Sequence, residues 1–149
     1  MVVASPTRRT LHTAALWAEG TGCGRFVHPL LGPRMVPLVA GQTGLPCDRH
    51  LDRGTLAREF GAFARPAGLA AALWAEGINA LPDAALGPPA EAFLAWCRRM
   101  GRPRVHVVSH DGTIAWYRHR IAGRPLTRAG FLGDAGVAVE RSGCPPGGR

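Results

Sequence analysis

Two apolar runs, each followed by a segment with helical spacing, stand out in the pattern of the chain. The first run covers residues 1–4 and stops at Ser5-Pro6, and the helix-forming segment 8–19 follows it. The second run covers residues 104–109 and is rich in valine, and a turn at Asp111-Gly112 leads into the helix-forming segment 113–122. Each run with its following segment predicts one strand–loop–helix unit.

The rest of the chain predicts shorter elements. The same criteria predict a strand near residues 26–28, helices over 54–63, 69–76 and 90–100, and a last strand over 131–139. Gly and Pro are frequent in segments 23–46 and 82–89, which therefore predict loops. Asp52 is positioned to cap the helix that begins near residue 54.

The two strand–loop–helix units predict an α/β fold with helices packed on a mainly parallel sheet. A chain of 149 residues with 46% hydrophobic positions is long enough for one domain with a packed core, and short for two. The Gly- and Pro-rich end, SGCPPGGR, predicts a disordered tail over 142–149. The domain is therefore expected to cover residues 1–141.

Composition and charge exclude several classes of protein. No apolar run approaches the roughly 18–20 residues that cross a bilayer, and the N-terminus lacks the pattern of a secretory signal. We therefore expect a cytoplasmic protein without a membrane partner. The net charge is +8 and all basic residues are arginines. Because these arginines are dispersed and no nucleic-acid-binding signature accompanies them, nucleic acid is not an expected partner.

The cysteines show no spacing typical of a metal site or a disulfide framework. They are Cys23, Cys47, Cys97 and Cys144, and no C-x-x-C pair occurs among them. Scattered cysteines in a cytoplasmic chain are most simply free thiols. No metal and no other cofactor is expected.

The residues that follow the two main strands are the best candidates for chemistry. Ligands of open α/β sheets bind outside the carboxyl ends of the strands, where helix N-termini offer amides to an anion. Arg9 lies in the first turn of its predicted helix, where a positive charge opposes the helix dipole unless an anion lies beside it. Arg9 could hold a phosphate with two hydrogen bonds, and a protonated His110 would add a second donor and charge.

Each of these residues also has an ordinary structural interpretation. An arginine near a helix start is more often a solvated side chain, and Ser-His-Asp-Gly is a common turn sequence. The occurrence of both at matching strand ends favours an anion site over two unrelated surface features.

The same residues carry a resemblance to a known family. The segment MVVASPTRRTLHTA resembles the second signature of the histidine phosphatase superfamily, in its phosphoglycerate mutase-like branch. The matching residues of this signature are Ser5, Pro6, Arg9, Thr13 and Ala14. The segment VHVVSHDGTI is similar to the third signature of the family, with His110, Gly112 and Thr113 as the matches. The resemblance extends to about Val139.

The resemblance implies a three-layer α/β/α fold and catalysis through a phosphorylated histidine. Arg9 would be one of two arginines that hold the phosphoryl oxygens, and His110 would be the second histidine of the site. Arg34 and Gly112 are the candidate substrate-binding residues, and a solvated surface arginine is the alternative interpretation of Arg34. The implied partner is a small phosphorylated substrate or inorganic phosphate. Phosphatase is favoured over mutase, because nothing in the sequence marks the elements that retain and reorient a bisphosphate.

Two parts of the family's catalytic machinery are missing from the sequence. The nucleophilic histidine belongs to an Arg-His-Gly motif, which none of the other histidines forms: His12, His28, His50, His106 and His119. The usual Leu-x-Glu acid is also absent, since residues 31–34 read Leu-Gly-Pro-Arg. The possible substitutes for this acid are Asp48, Asp52 and Asp83.

The simplest interpretation is that the sequence begins inside a family domain. The strand with Arg-His-Gly would then lie upstream, and it would be a central strand between the two main strands. The chain is accordingly expected to be poorly stable and to lack turnover. The alternative is a non-catalytic pseudoenzyme that keeps Arg9 and His110 to bind a phosphate ligand.

Overall fold

A three-stranded parallel sheet forms the centre of the protein. The computed structural model describes residues 1–39, 41–42 and 44–141, and the predicted tail at 142–149 lies outside these residues. The strands are β1 (Val2–Ala4), β2 (Arg25–Val27) and β3 (His106–Val108), in the order β2-β1-β3. The prediction of an α/β fold with a parallel sheet is therefore confirmed.

The helices of the described residues cover both faces of this sheet. They are α1 (Arg8–Ala18), α2 (Arg53–Glu59), α3 (Ala71–Glu76), α4 (Asp83–Arg99) and α5 (Asp111–Ala122), with short 3₁₀ turns at Pro29–Leu31, Pro46–Asp48 and Arg128–Gly130. Most of them begin and end within a few residues of the predicted segments. Asp52 caps α2 as expected, since its carboxylate accepts a hydrogen bond of 2.9 Å from the Thr55 amide.

Alternate side chains of β1 enter two separate hydrophobic clusters. Val2 and Ala4 pack with α1 and the residues around α2 and α3, whereas Val3 packs with α4 and α5. This division follows from the two-residue period of a strand, which sends neighbouring side chains to opposite faces. Because both faces of β1 are covered, all three residues of the strand are fully buried.

The prediction that an upstream strand lies between the two main strands is wrong. β1 and β3 pair directly, with Val2 opposite His106 and Ala4 opposite Val108. The His106 amide donates to the Met1 carbonyl at 2.9 Å, and the Ser5 amide donates to the Val108 carbonyl at 3.0 Å. These bonds satisfy the facing edges of both strands, so the sheet has no room for a strand between them.

The prediction of a loop at residues 82–89 is also wrong, since α4 begins at Asp83 and continues through Pro88 and Pro89. Each proline removes one hydrogen bond of the helix and strains the preceding turn. Burial of Leu86 and Phe93 against the core offsets this cost. A sequence rule that ends helices at proline fails here because the helix is stabilised by what it packs against.

The predicted last strand at residues 131–139 is a further error. This segment contains no strand, and Val137 and Val139 are each 85% exposed. A turn interrupts it, with positive φ at Gly133 and Ala135. A strand is stable only when a neighbour accepts its hydrogen bonds, and no strand of the described residues lies alongside this one.

Among residues 1–39, 41–42 and 44–141, no helix combines the length and the apolar character that crossing a bilayer would need.

Candidate anion-binding site

The two sequence-predicted loops lie side by side because β1 and β3 are neighbours and run in the same direction. The loop after β1 leads into α1, and the loop after β3 leads into α5. The first helical hydrogen bonds join the Leu11 amide to Thr7 and the Ile114 amide to His110. Neither Thr7 nor His110 caps its helix with a side chain. The cap residues of α1 and α5 therefore do not bond through their side chains to the amides of the first turns at this edge of the sheet.

Arg9 and His110 are in direct contact, although 101 positions separate them in the chain. The Nη2 atom of Arg9 lies 2.9 Å from Nδ1 of His110. The same guanidinium donates from Nη1 to the Cys47 carbonyl at 2.7 Å and from Nη2 to the Asp48 carboxylate at 2.8 Å. The side chain of Arg9 remains 46% exposed. The predicted pair of residues thus meets at a partly open surface, where the turn at Pro46–Asp48 joins them.

The hydrogen bonds of His110 determine which ring nitrogen carries the proton. A guanidinium can only donate, so Nδ1 of His110 accepts from Arg9. Nε2 lies 3.0 Å from Oγ of Ser5 and must then be the protonated nitrogen, donating to that hydroxyl. Ser5 is fully buried. The serine of the resemblance motif therefore orients the histidine, a role that the sequence did not assign to it.

The environment of His110 in the free site favours the neutral ring. Burial of the ring, reinforced by the positive charge of Arg9, lowers the pKa of His110 from 6.5 to about 4. Asp48 opposes this shift without overcoming it. The imidazole is therefore neutral at pH 7, and Arg9 supplies the positive charge of the site.

Of the three carboxylates considered as substitutes for the missing acid, only Asp48 reaches the site. Its Oδ1 accepts from Arg9, and its Oδ2 accepts from the Leu45 amide at 3.2 Å. Both oxygens are acceptors, which is the behaviour of a carboxylate and not of a proton donor. Asp52 caps α2, and Asp83 pairs with Arg34 away from the site.

Arg34 is buried and lines a cavity beside Trp116, and its substrate-binding role stays a prediction. Its side chain is only 2% exposed. The guanidinium donates to the Ile78 and Leu81 carbonyls and to Asp83, and it lies 5.7 Å from the centre of the Trp116 ring. Arg34 therefore ties the segment before α4 to α5, which accounts for an arginine in the interior.

Gly112 has a packing role, and its substrate contact stays a prediction. A Cβ atom at this position would overlap the carbonyl oxygen of Arg34 and press on the Val36 side chain. The absence of a side chain lets the Arg34 backbone lie directly against the first turn of α5. This explains the glycine without reference to a ligand.

His50 is a residue near the site that sequence reasoning did not single out. Its ring lies against Gly32 and Gly77, where a Cβ atom would collide with it. Nδ1 lies 3.2 Å from the Trp74 carbonyl and must donate to it, and no described residue bonds to the buried Nε2. Burial lowers the pKa of His50. No local sequence pattern marks the position of the His50 ring, because the two glycines that it contacts are distant from His50 in the chain.

The site lies at the surface, outside two cavities that the described residues line. A cavity of about 260 Å³ lies between Arg118 and Thr127, and one of about 160 Å³ lies beside Trp116. Neither is lined by Arg9 or His110. An anion at the Arg9–His110 pair would therefore approach from open solvent.

No family model matches the sequence, and no curated protein or solved structure matches the chain.

Proposed function

We propose that the chain is a phosphatase-type domain of the histidine phosphatase superfamily that binds a phosphoryl group at Arg9 and His110. The observation that carries the proposal is the 2.9 Å contact between these two side chains at the ends of neighbouring parallel strands. The two signatures of the sequence support it, and so do the helices on both faces of the sheet. The ligand class is a phosphomonoester or inorganic phosphate.

The geometry suits an oxyanion for three physical reasons. Arg9 supplies a permanent charge, and its planar guanidinium matches the oxygens of a phosphate. An anion next to His110 would raise the pKa of the ring, which burial and the charge of Arg9 lower, because the anion offsets the charge of Arg9. The amides at the starts of α1 and α5 point their dipoles at the same edge of the sheet.

The chain is proposed to bind without turnover. Phosphoryl transfer through a phosphohistidine needs an unprotonated ring nitrogen that can reach phosphorus, and no Arg-His-Gly motif occurs in the sequence. His50 has an unprotonated Nε2, but that atom packs against Gly32. His110 uses one ring nitrogen for Arg9 and the other for Ser5. None of these groups is free to attack a phosphoryl group.

A genuine pseudoenzyme that binds a phosphate ligand is the second candidate. It is favoured by the combination of an assembled Arg9–His110 pair with a sequence that lacks the nucleophile motif. The coding DNA distinguishes the two candidates: an upstream in-frame strand ending in Arg-His-Gly supports the catalytic domain, and its absence supports the pseudoenzyme.

Binding of inorganic phosphate, measured by calorimetry or by shifts of the His110 ring resonances, tests the proposal. Arg9→Gln and His110→Gln should each weaken binding about tenfold, which corresponds to one lost charged hydrogen bond. Arg8→Gln is the matched control, because Arg8 carries the same charge one residue away but pairs with Glu59. Equal effects of the changes at 8 and 9 would show a general charge effect and would contradict a site at Arg9.

Hydrolysis of a generic phosphomonoester tests the absence of turnover. The chain should show no activity above that of the Arg9→Gln variant. Robust hydrolysis by a cooperatively folded chain would overturn this part of the proposal.

A further inference from the structure

We propose that Asp48 acts as an internal anion that competes with the phosphate ligand for Arg9. This inference rests on the proposed function and concerns the regulation of the same site. Within the described residues, Asp48 is the carboxylate that contacts Arg9, and it lies on the turn Pro46–Asp48.

A guanidinium can hold an oxyanion with two parallel hydrogen bonds through either of two faces. One face combines Nη1 with Nη2, and the other combines Nε with Nη2. Nη2 takes part in both faces and has two hydrogens. In this structure one points to Asp48 and the other to His110. Neither face can therefore hold a phosphate while both contacts persist.

Asp48 is the contact that a ligand would replace. His110 is neutral and accepts only one hydrogen bond from Arg9, whereas Asp48 offers Arg9 a negative charge and so fills the role of the ligand. A phosphate dianion and the Asp48 carboxylate would also repel each other if both remained at the guanidinium. Binding of phosphate therefore requires the carboxylate to move away.

The turn that carries Asp48 is suited to such a movement. Pro46 and Cys47 are exposed, and the side chain of Asp48 is itself 23% exposed. Its Oδ2 bonds to the Leu45 amide within the same turn, so a movement of the turn keeps that bond and breaks the two bonds that Arg9 donates to Asp48 and to the Cys47 carbonyl. An ion pair this accessible changes an equilibrium by at most about fivefold, which a dianionic ligand can exceed. The contact between Asp48 and Arg9 therefore lowers the affinity of Arg9 for anions that bind weakly, while phosphate can still displace the Asp48 carboxylate.

Asp48→Asn tests this inference, since it removes the charge and keeps the shape. The variant should bind inorganic phosphate about five- to tenfold more tightly than the wild-type chain, because the competing ion pair and the repulsion are both lost. Asp52→Asn is the matched control. It removes the same charge nearby, and asparagine still caps α2. Its phosphate affinity should stay within about twofold of wild type.

The outcomes separate this inference from the proposed function. If Arg9→Gln weakens phosphate binding as expected while Asp48→Asn leaves it unchanged or weaker, the site stands and the competition is overturned. If neither the wild-type chain nor Asp48→Asn binds phosphate, both proposals are overturned. Asp48→Ser, with its fold checked by thermal unfolding, is the second variant and should show the same tightening.

Discussion

Oγ of Ser5 lies 3.0 Å from Nε2 of His110, so a fully buried hydroxyl at the end of β1 holds the imidazole that begins α5. This contact leaves Nδ1 of His110 as the nitrogen that faces Arg9. The order Asp48, Arg9, His110, Ser5 thus forms one hydrogen-bonded chain from the surface to the core. The orientation of the candidate site depends on its buried end.

Ser5→Ala should remove the buried partner of the His110 ring. The variant leaves Nε2–H without its acceptor, and we expect a loss of about 1–2 kcal/mol in the free energy of unfolding. Arg9 still donates to Nδ1, so nitrogen-15 NMR should show a shifted Nε2 resonance with the same tautomer. Ser109→Ala is the control, since Ser109 donates to the Leu31 carbonyl and not to the His110 ring. An unchanged Nε2 resonance in Ser5→Ala would contradict the positioning role.

Sulfate binding should strengthen as the pH falls toward 4. The pKa of His110 is lowered to about 4 in the free site, and a bound anion raises it. The bound state therefore takes up a proton at a higher pH than the free state, and the gain in affinity levels off below about 4. Sulfate is the suitable probe because its own charge is constant over this range.

The comparison with His110→Gln isolates the histidine in this measurement. This variant keeps a polar side chain but removes the titrating ring, so its sulfate affinity should depend less on pH. An identical pH profile in both proteins would show that His110 does not respond to the anion.

Acid should destabilise the fold through His28. This ring is 2% exposed and packs against Phe93 and Trp96, and burial lowers its pKa from 6.5 to about 4. Between pH 4 and pH 6.5, His28 is protonated in the unfolded chain and neutral in the folded chain. The stability present above pH 6.5 is therefore lost as the pH falls to 4, by about 3 kcal/mol.

Denaturant unfolding of His28→Asn at several pH values checks this effect. Asparagine can still accept the Leu30 amide, as Nδ1 of His28 does at 3.2 Å. The variant should be less stable overall, because ring contacts are lost, yet should depend less on pH. The remaining dependence includes the similar shift of His110. An unchanged slope would exclude His28 as a source of acid sensitivity.

Gly112→Ala should be more harmful than an alanine at a glycine with positive φ. The new Cβ at 112 would overlap the Arg34 carbonyl, which the backbone cannot easily avoid, and we expect a loss of about 3 kcal/mol or more. Gly20→Ala adds only the strain of a φ of 71° in open space, about 1–2 kcal/mol. Thermal unfolding of the two variants would reveal their order, and the reverse order would contradict the packing role of Gly112.

Arg34→Met should lower stability and leave phosphate binding intact. The variant removes the donor to the Ile78 and Leu81 carbonyls, and we expect a cost of about 3 kcal/mol. The folded fraction should bind phosphate as the wild-type chain does, because Arg34 is buried away from Arg9. Weaker binding by a fully folded variant would support the substrate-facing role predicted from the sequence.

Elements that depend on local pattern were predictable from the sequence. β1, α1, β3 and α5 begin and end within a few residues of their predicted bounds, since hydrophobic period, helix caps and glycine stops are read over a few positions. The pairing of Arg9 with His110 was also predictable. It requires only that two parallel strands end at the same edge of a sheet.

The tertiary structure alone decided the features that depend on distant partners. Helix α4 continues through Pro88 because its apolar side chains are buried in the core. Residues 131–139 form no strand because no strand of the described residues pairs with them. Buried Arg34 pairs with Asp83, which lies 49 positions away in the chain. Arg9 contacts Asp48, which lies 39 positions away. Local sequence sets which conformations a segment favours, but the free energy that selects among them comes from burial and hydrogen bonds across the fold. For this reason the sequence by itself determined the strand–loop–helix units and the candidate cation, Arg9. Packing across the fold determined that the anion beside Arg9 is Asp48.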